Sequence, residues 1–238
     1  MTEVGKQRLR RYGAELLGTL LLVFVEAGVG TVDAITAGRL GIVGRYLADG
    51  LMVCAMIYSL SGISGAHINP AVTLGFLVRR DIHFIDAVGY WIAQFAGAGI
   101  AGYILLAIYG PQIVNGTTSP QSGFSWATAL AMEIMLSFIL VFVILSTSHE
   151  EAVVGKNVAI AVGFTVALCG LFGGAVSGAS MNPARSFGPA LASGDWTDYW
   201  IYVAGPCAAA LLAAACSYIH RSGESPQRRT VSVRTKFR

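Results

Sequence analysis

Ser64-Gly65-Ala66-His67-Ile68-Asn69-Pro70-Ala71 and Ser177-Gly178-Ala179-Ser180-Met181-Asn182-Pro183-Ala184 are two versions of one octapeptide, 113 residues apart. Asn is a favoured helix N-cap and Pro a favoured first helical residue, so each copy predicts a helix starting at Asn-Pro after a break in the chain. A second pair of segments keeps nearly the same register, Ala14-Glu15-Leu16-Leu17-Gly18-Thr19 against Met132-Glu133-Ile134-Met135-Leu136-Ser137, offset by 118. The chain therefore reads as an internal repeat, one copy over 12–108 and the other over 126–220, flanked by basic tails at 1–11 and 221–238.

What surrounds the octapeptides places them in a membrane. The 238 residues are 55% apolar and only 12% charged, about half the charge of an ordinary soluble domain. Disorder is excluded by the apolar content, and four cysteines do not make a disulfide scaffold. Cys54, Cys169, Cys207 and Cys216 lie in apolar runs and read as small packing groups. Segments 87–108, 158–174 and 199–219 hold no Asp, Glu, Lys or Arg and are long enough to cross a bilayer. Segments 14–32, 46–64 and 126–146 are of similar length but carry Glu15 and Glu26, Asp49, and Glu133. Six crossings result.

Two runs are too long for one crossing. Gly50 to Val78 has no charged residue, and as a single helix it would extend roughly 44 Å against a hydrocarbon core of about 30 Å. It is predicted to be a crossing, a break and a short half-helix, and Val158 to Ala184 repeats the pattern. Broken backbone at membrane depth is tolerated where it lines a water-filled cavity. Three crossings per copy force the second copy to enter from the opposite face, and interrupted segments at matching places in inverted repeats point to a site at the midplane. The fold class is all-α membrane protein: six transmembrane helices plus two re-entrant half-helices. Thirteen of the sixteen Lys and Arg fall on one side of the six spans, which puts both termini in the cytoplasm. The apolar stretch after Lys6, Arg8, Arg10 and Arg11 is no signal peptide, because it has its counterpart in the second copy. The tails set topology or meet anionic lipid and do not bind nucleic acid.

Six spans, two Asn-Pro-Ala boxes, the Ala14-Glu15-x-x-Gly18-Thr19 opening and the run from Asn182 to Pro189 resemble the aquaporin (major intrinsic protein) family, in a bacterial-type member with an atypical outer constriction. The resemblance covers about residues 10–220. It implies a six-helix bundle with a pore in every subunit, assembled as a homotetramer in the cell (inner or plasma) membrane. It also implies exclusion of protons and ions by an Arg and by the half-helix dipoles, as described for aquaporin-type pores generally.

Carried over by position, Asn69 and Asn182 match the family's central constriction, and Pro70 and Pro183 begin its half-helices. Arg185 matches the outer selectivity filter, whose other positions fall on Asp49, Gly170 and Ala179 when each box is aligned without gaps. Strict water channels place an aromatic and usually a histidine where Asp49 and Gly170 stand, so the mouth is expected to be wide, with nothing bulky left to narrow it. Ser186 and Ala190 are of the water-channel type, whereas Tyr202 and Val203 depart from it. Glu15 and Glu133 are expected to accept hydrogen bonds from the broken loops. Glu26, about 20° around the helix from Glu15 and some 16 Å further outward, reads as an outer-vestibule acid or an interfacial one. Asp49 either caps the second helix or faces the pore and pairs with Arg185, near which Glu26 is expected to lie as well. His67 reads as a support for its loop, His83, His149 and His220 as membrane-edge groups, and Gly97, Gly99 and Gly102 as helix-packing positions.

The expected function is a passive channel for water and small uncharged solutes such as glycerol, urea or neutral metalloid hydroxides. A strict water channel is the alternative, and a secondary transporter the alternative class. No nucleophile–base pair, P-loop or metal-ligand spacing is present in the sequence, so no enzyme, catalytic residue, metal or cofactor is expected.

Overall fold

The computed structural model describes residues 2–148 and 157–221, with 219–221 as backbone only. Lys156, His149, the side chain of His220 and the tail from Ser222 onward lie outside the described residues.

Among the described residues eight α-helices follow one another: α1 (Glu3–Ile35), α2 (Gly41–Ser64), α3 (Pro70–Val78), α4 (Phe84–Tyr109), α5 (Trp126–Thr147), α6 (Val158–Ser177), α7 (Pro183–Ser193) and α8 (Ile201–Arg221). A 3₁₀ segment, Gly110–Gly116, extends α4. Six of the helices are long and apolar enough to cross a membrane, so the chain is a multi-pass membrane protein. The other two, α3 and α7, are the half-helices that begin at Asn69-Pro70 and Asn182-Pro183.

The packing follows the repeat. α1 lies on α4 as α5 lies on α8, α3 packs on α8 as α7 packs on α4, and α2 meets α6 across the centre. Glycines set the closest approaches: a Cβ on Gly50 would fall on the carbonyl oxygen of Gly163, and one on Gly163 on that of Gly50. Gly97 lies likewise against the Leu16 carbonyl and Gly102 against that of Gly188, whereas Gly99 meets only side chains. Of the four cysteines only Cys169 is fully buried.

The first helix starts earlier than its apolar stretch. Thr2 caps it, its hydroxyl accepting from the Gly5 amide at 3.2 Å. The basic residues of the tail are thus helical, and Arg8 docks on α4 beside Tyr12, both on the Asp86 carboxylate at 2.9 and 3.1 Å.

Both long crossings end on a left-handed glycine, Gly65 (φ 89°) after α2 and Gly178 (φ 81°) after α6. Beyond them the left-handed region recurs at matching non-glycine positions: Ala66 (51°) and Ile68 (43°), then Ala179 (46°) and Met181 (53°). Such values are unfavourable for side-chain-bearing residues, most of all a β-branched one, and persist only where the surroundings hold them.

Two buried carboxylates do the holding. Glu15, 0% exposed, accepts from the Ser64 hydroxyl (2.6 Å), the His67 amide (2.9 Å), the Ile68 amide (2.7 Å) and the Gln94 side-chain amide (2.7 Å). Glu133, also 0% exposed, accepts from the Ser177 hydroxyl (2.7 Å) and the amides of Ser180 (2.9 Å) and Met181 (2.8 Å). Stripped of water, these N–H groups need an acceptor, and each one orphaned costs about 1–3 kcal/mol. Glu133→Gln replaces one accepting oxygen by a donor, so it and Glu15→Gln are expected to lose about that much stability and part of their transport. A thermal melt of the detergent-solubilised protein that left both variants at the wild-type midpoint would contradict this assignment.

Candidate functional site

A cavity follows the centre of the bundle. One wall is apolar, with Leu22, Val53, Val72, Leu140, Val162 and Val166 on it; the other carries Asn69, Asn182 and the two strained loops. The positive φ values turn the loops so that their carbonyls reach the interior, while Glu15 and Glu133 take the amides on the far side.

At the midpoint the two halves cross-brace. The Asn69 amide NH₂ donates to the Met181 carbonyl at 2.8 Å, and that of Asn182 donates to the Ile68 carbonyl at 3.0 Å. Each Asn oxygen caps its own half-helix: Asn69 Oδ1 accepts from the Ala71 amide (2.9 Å) and Asn182 Oδ1 from the Ala184 amide (3.0 Å). An amide NH₂ has two hydrogens, and one of each pair is thereby committed. The second is left for an oxygen in the lumen, at the point where two positive helix ends converge.

Aromatic residues outside the boxes complete the frame in matching places. The Tyr90 hydroxyl donates to the Ser64 carbonyl and that of Tyr202 to the Ser177 carbonyl, both at 2.6 Å. Trp91 Nε1–H donates to the Pro70 carbonyl (3.1 Å) and the Tyr199 hydroxyl to the Pro183 carbonyl (3.2 Å). Sequence reading gave none of the four this role; carrying the alignment of the two copies beyond the boxes with a one-residue gap pairs Tyr90 with Tyr202. His67 sits in the first loop, its Nδ1 3.1 Å from Thr73 Oγ1 and its ring stacked on Phe76 at 4.4 Å. Ser180 of the second loop and Thr118, just after the 3₁₀ segment, both share short contacts of 2.6 Å with the Ser186 hydroxyl.

The outer mouth differs from expectation in three ways. Asp49 does not cap α2: the helix starts at Gly41, and Asp49 lies more than two turns inside it, 8% exposed, on the cavity wall. Nor does it pair with Arg185. The carboxylate that faces the guanidinium is Glu26, with Oε2 3.6 Å from Nε, and Glu26 is a buried group rather than an interfacial acid. The reason is the helix face shared by Glu15 and Glu26, which turns both inward. Arg185 also donates to the Gly116 carbonyl (2.8 Å) and the Glu26 carbonyl (3.1 Å), so it is drawn to the wall made by α1 and the 3₁₀ segment. Asp49 Oδ1 is buried with no hydrogen-bond partner, and Asp49 forms no ion pair among the described residues.

Third, the space at Gly170 is not empty. A Cβ there, or at Gly174 one turn on, would fall on the Tyr46 ring, which lies in the groove those glycines leave. Tyr46 is 5% exposed and on the cavity wall beside Asp49 and Ala179. Gly170 stands behind it. The ungapped comparison missed Tyr46 because it stands three residues before the aligned position.

A family model described as Major intrinsic protein matches residues 3–218. Aquaporin NIP2-1 of Zea mays is 42% identical over 94% of this chain and 75% of that protein. Aquaporin NIP2-1 of Oryza sativa subsp. japonica is 40% identical over 92% of this chain and 73% of that protein. Among solved structures, the aquaglyceroporin from Plasmodium falciparum superposes with a TM-score of 0.78 at 26% identity, covering 87% of this chain and 94% of that one. These relatives come from plants and a parasite and lend nothing to the bacterial type expected from the sequence.

Asn182→Asp removes the donor that braces the Ile68 carbonyl and puts a carboxylate where two positive helix ends meet; Asn69→Asp does the same from the other half. Each is expected to lower neutral-solute flux or raise cation leak, measured as vesicle shrinkage and as conductance in planar bilayers. Unchanged flux and conductance in both would remove the central constriction from this position.

Proposed function

Because the chain belongs to the major intrinsic protein family, we propose that its pore carries small hydroxylated or amide solutes of the glycerol, urea or neutral metalloid hydroxide kind together with water. That it is a passive channel for water and small neutral solutes, and not an enzyme, follows from the family. The solute range is the further step.

One observation carries it: Asp49 lines the cavity, and among the described residues its buried Oδ1 has no hydrogen-bond partner. An unsatisfied buried acid is costly, and a donor in the lumen that reaches this carboxylate offsets that cost. A solute with several O–H or N–H groups can donate to Asp49 and accept from the Asn69 and Asn182 amides further in. Its carbon or metalloid face meets the apolar wall. With Arg185 drawn aside by Glu26, the acceptor is not screened by a direct ion pair. Water fits the same groups, and the water-only reading draws its support from Tyr46, which restores an aromatic beside the mouth.

In this reading the site comprises Asn69 and Asn182 at the centre, Asp49, Ala179 and Arg185 with Glu26 at the mouth, and Glu15, Glu133, Pro70 and Pro183 as supports. Gly170 contributes by making room rather than by touching solute. Residues 12–220 form the channel, with both termini on the cytoplasmic side of the cell membrane, as the basic loops require, and four copies assemble around a common axis.

Stopped-flow light scattering on proteoliposomes tests the range. Wild-type protein is expected to speed the movement of water, glycerol and urea, and Asp49→Asn, which halves the acceptor capacity at that point, to lower glycerol relative to water. Water flux with glycerol and urea rejected would select the strict water channel. Solute accumulation driven by an ion gradient would select a transporter.

A further inference from the structure

Tyr46 is tied to three features that act on one variable, the width of the outer mouth. Its ring lies on the backbone of α6 in a groove that exists because residues 170 and 174 have no Cβ. The α6 backbone at Gly170 and Gly174 lies against the ring from its root to its hydroxyl, so the ring cannot move further toward α6 there. The Arg45 guanidinium lies over the ring, 5.6 Å from its centroid. Among the described residues no hydrogen bond reaches the Tyr46 hydroxyl, so nothing polar draws the ring tip toward the lumen. The ring is set back against α6 in the groove left by the two glycines.

We propose that Tyr46 is a specificity-determining residue, the ring that sets the upper size limit for solutes, with Gly170 and Gly174 fixing how far it stands back. This rests on the channel reading above and adds to it which residue decides what is too large. The filter's bulk comes from α2, one turn outward of Asp49, and the glycines of α6 act through it. A histidine at position 170 would therefore not add a second ring beside an open space; it would collide with the one already present.

The two ends of the ring make different experiments. At Gly174 the colliding atoms are the hydroxyl and Cζ at the ring tip, which can swing into the lumen. At Gly170 they are Cβ, Cγ and Cδ1 near its root, which cannot move without α2. Gly174→Ala is thus the variant that narrows the mouth, and Tyr46→Ala the one that widens it.

Proteoliposomes holding wild type, Tyr46→Phe, Tyr46→Ala and Gly174→Ala are tested with water, glycerol and a five-carbon linear polyol. Tyr46→Ala is expected to raise polyol permeability relative to water by about tenfold, the lower end of what one methylene of fit decides in a shaped pocket. Gly174→Ala is expected to lower glycerol more than water, and Tyr46→Phe, which keeps the ring, to hold the wild-type size limit. If Tyr46→Ala does not assemble, Gly174→Ala decides with the opposite sign. Flux that persists with the polyol-to-water and glycerol-to-water ratios unchanged in the assembled variants overturns the role of Tyr46 and leaves the channel reading standing. Absence of any flux above protein-free vesicles in the wild type would overturn the channel reading itself.

Discussion

Backbone without helix or sheet partners is the most costly thing a protein can place inside a bilayer, and this fold does so twice. The hydrogen bonds from the loop amides to Glu15 and Glu133 make that possible. Each carboxylate takes up the donors of one loop on the side away from the lumen. Its own burial is offset by bonds that an ionised acid accepts more strongly than a neutral group would. Once the amides are anchored, residues such as Ile68 and Met181 are held at positive φ, and their carbonyls are presented to the opposite half. The Asn69 and Asn182 side chains then have something to bind, and the two half-helices meet tip to tip. Removing either carboxylate removes the reason for the loop conformation and so for the cross-brace.

The inner and outer parts of the pore obey different logic. The centre is symmetric, because both copies contribute the same carboxylate, Asn, Pro and supporting tyrosine. The outer mouth is not. There a single Arg185 is drawn to one wall by Glu26 and two carbonyls, Asp49 is left unpaired on the cavity wall, and Tyr46 supplies the ring. The converging dipoles at the centre act on any charged solute irrespective of size. In the proposed reading, discrimination among neutral solutes belongs to the mouth, where shape and acceptor placement differ between the two copies.

Most of the frame was legible in the sequence because it repeats. Six crossings, two interrupted runs and the helix starts at Asn69 and Asn182 follow from charge-free length and from capping chemistry. The inward direction of Glu15 and Glu26 follows from their eleven-residue spacing. What was not legible depends on contacts between elements far apart in the chain. Whether Arg185 meets Glu26 or Asp49 turns on how α1 and α2 are rotated relative to α7, which no local pattern encodes. Gly170 in isolation reads as missing bulk, whereas in the bundle it marks where a side chain from α2 has been admitted. The helical start of α1 was underestimated because its basic residues break the apolar pattern, although Arg8 docks on Asp86 of α4.

In the proposed mechanism a braced pair of half-helices keeps open a path for neutral molecules and closes it to ions. The temperature dependence of glycerol flux through wild-type proteoliposomes, recorded with and without imposed proton, sodium and potassium gradients, tests it most directly. The account predicts a shallow dependence, near that of diffusion through water, with rates indifferent to every gradient and no ionic current alongside. A steep dependence, or a rate that follows any one of the gradients, would contradict it.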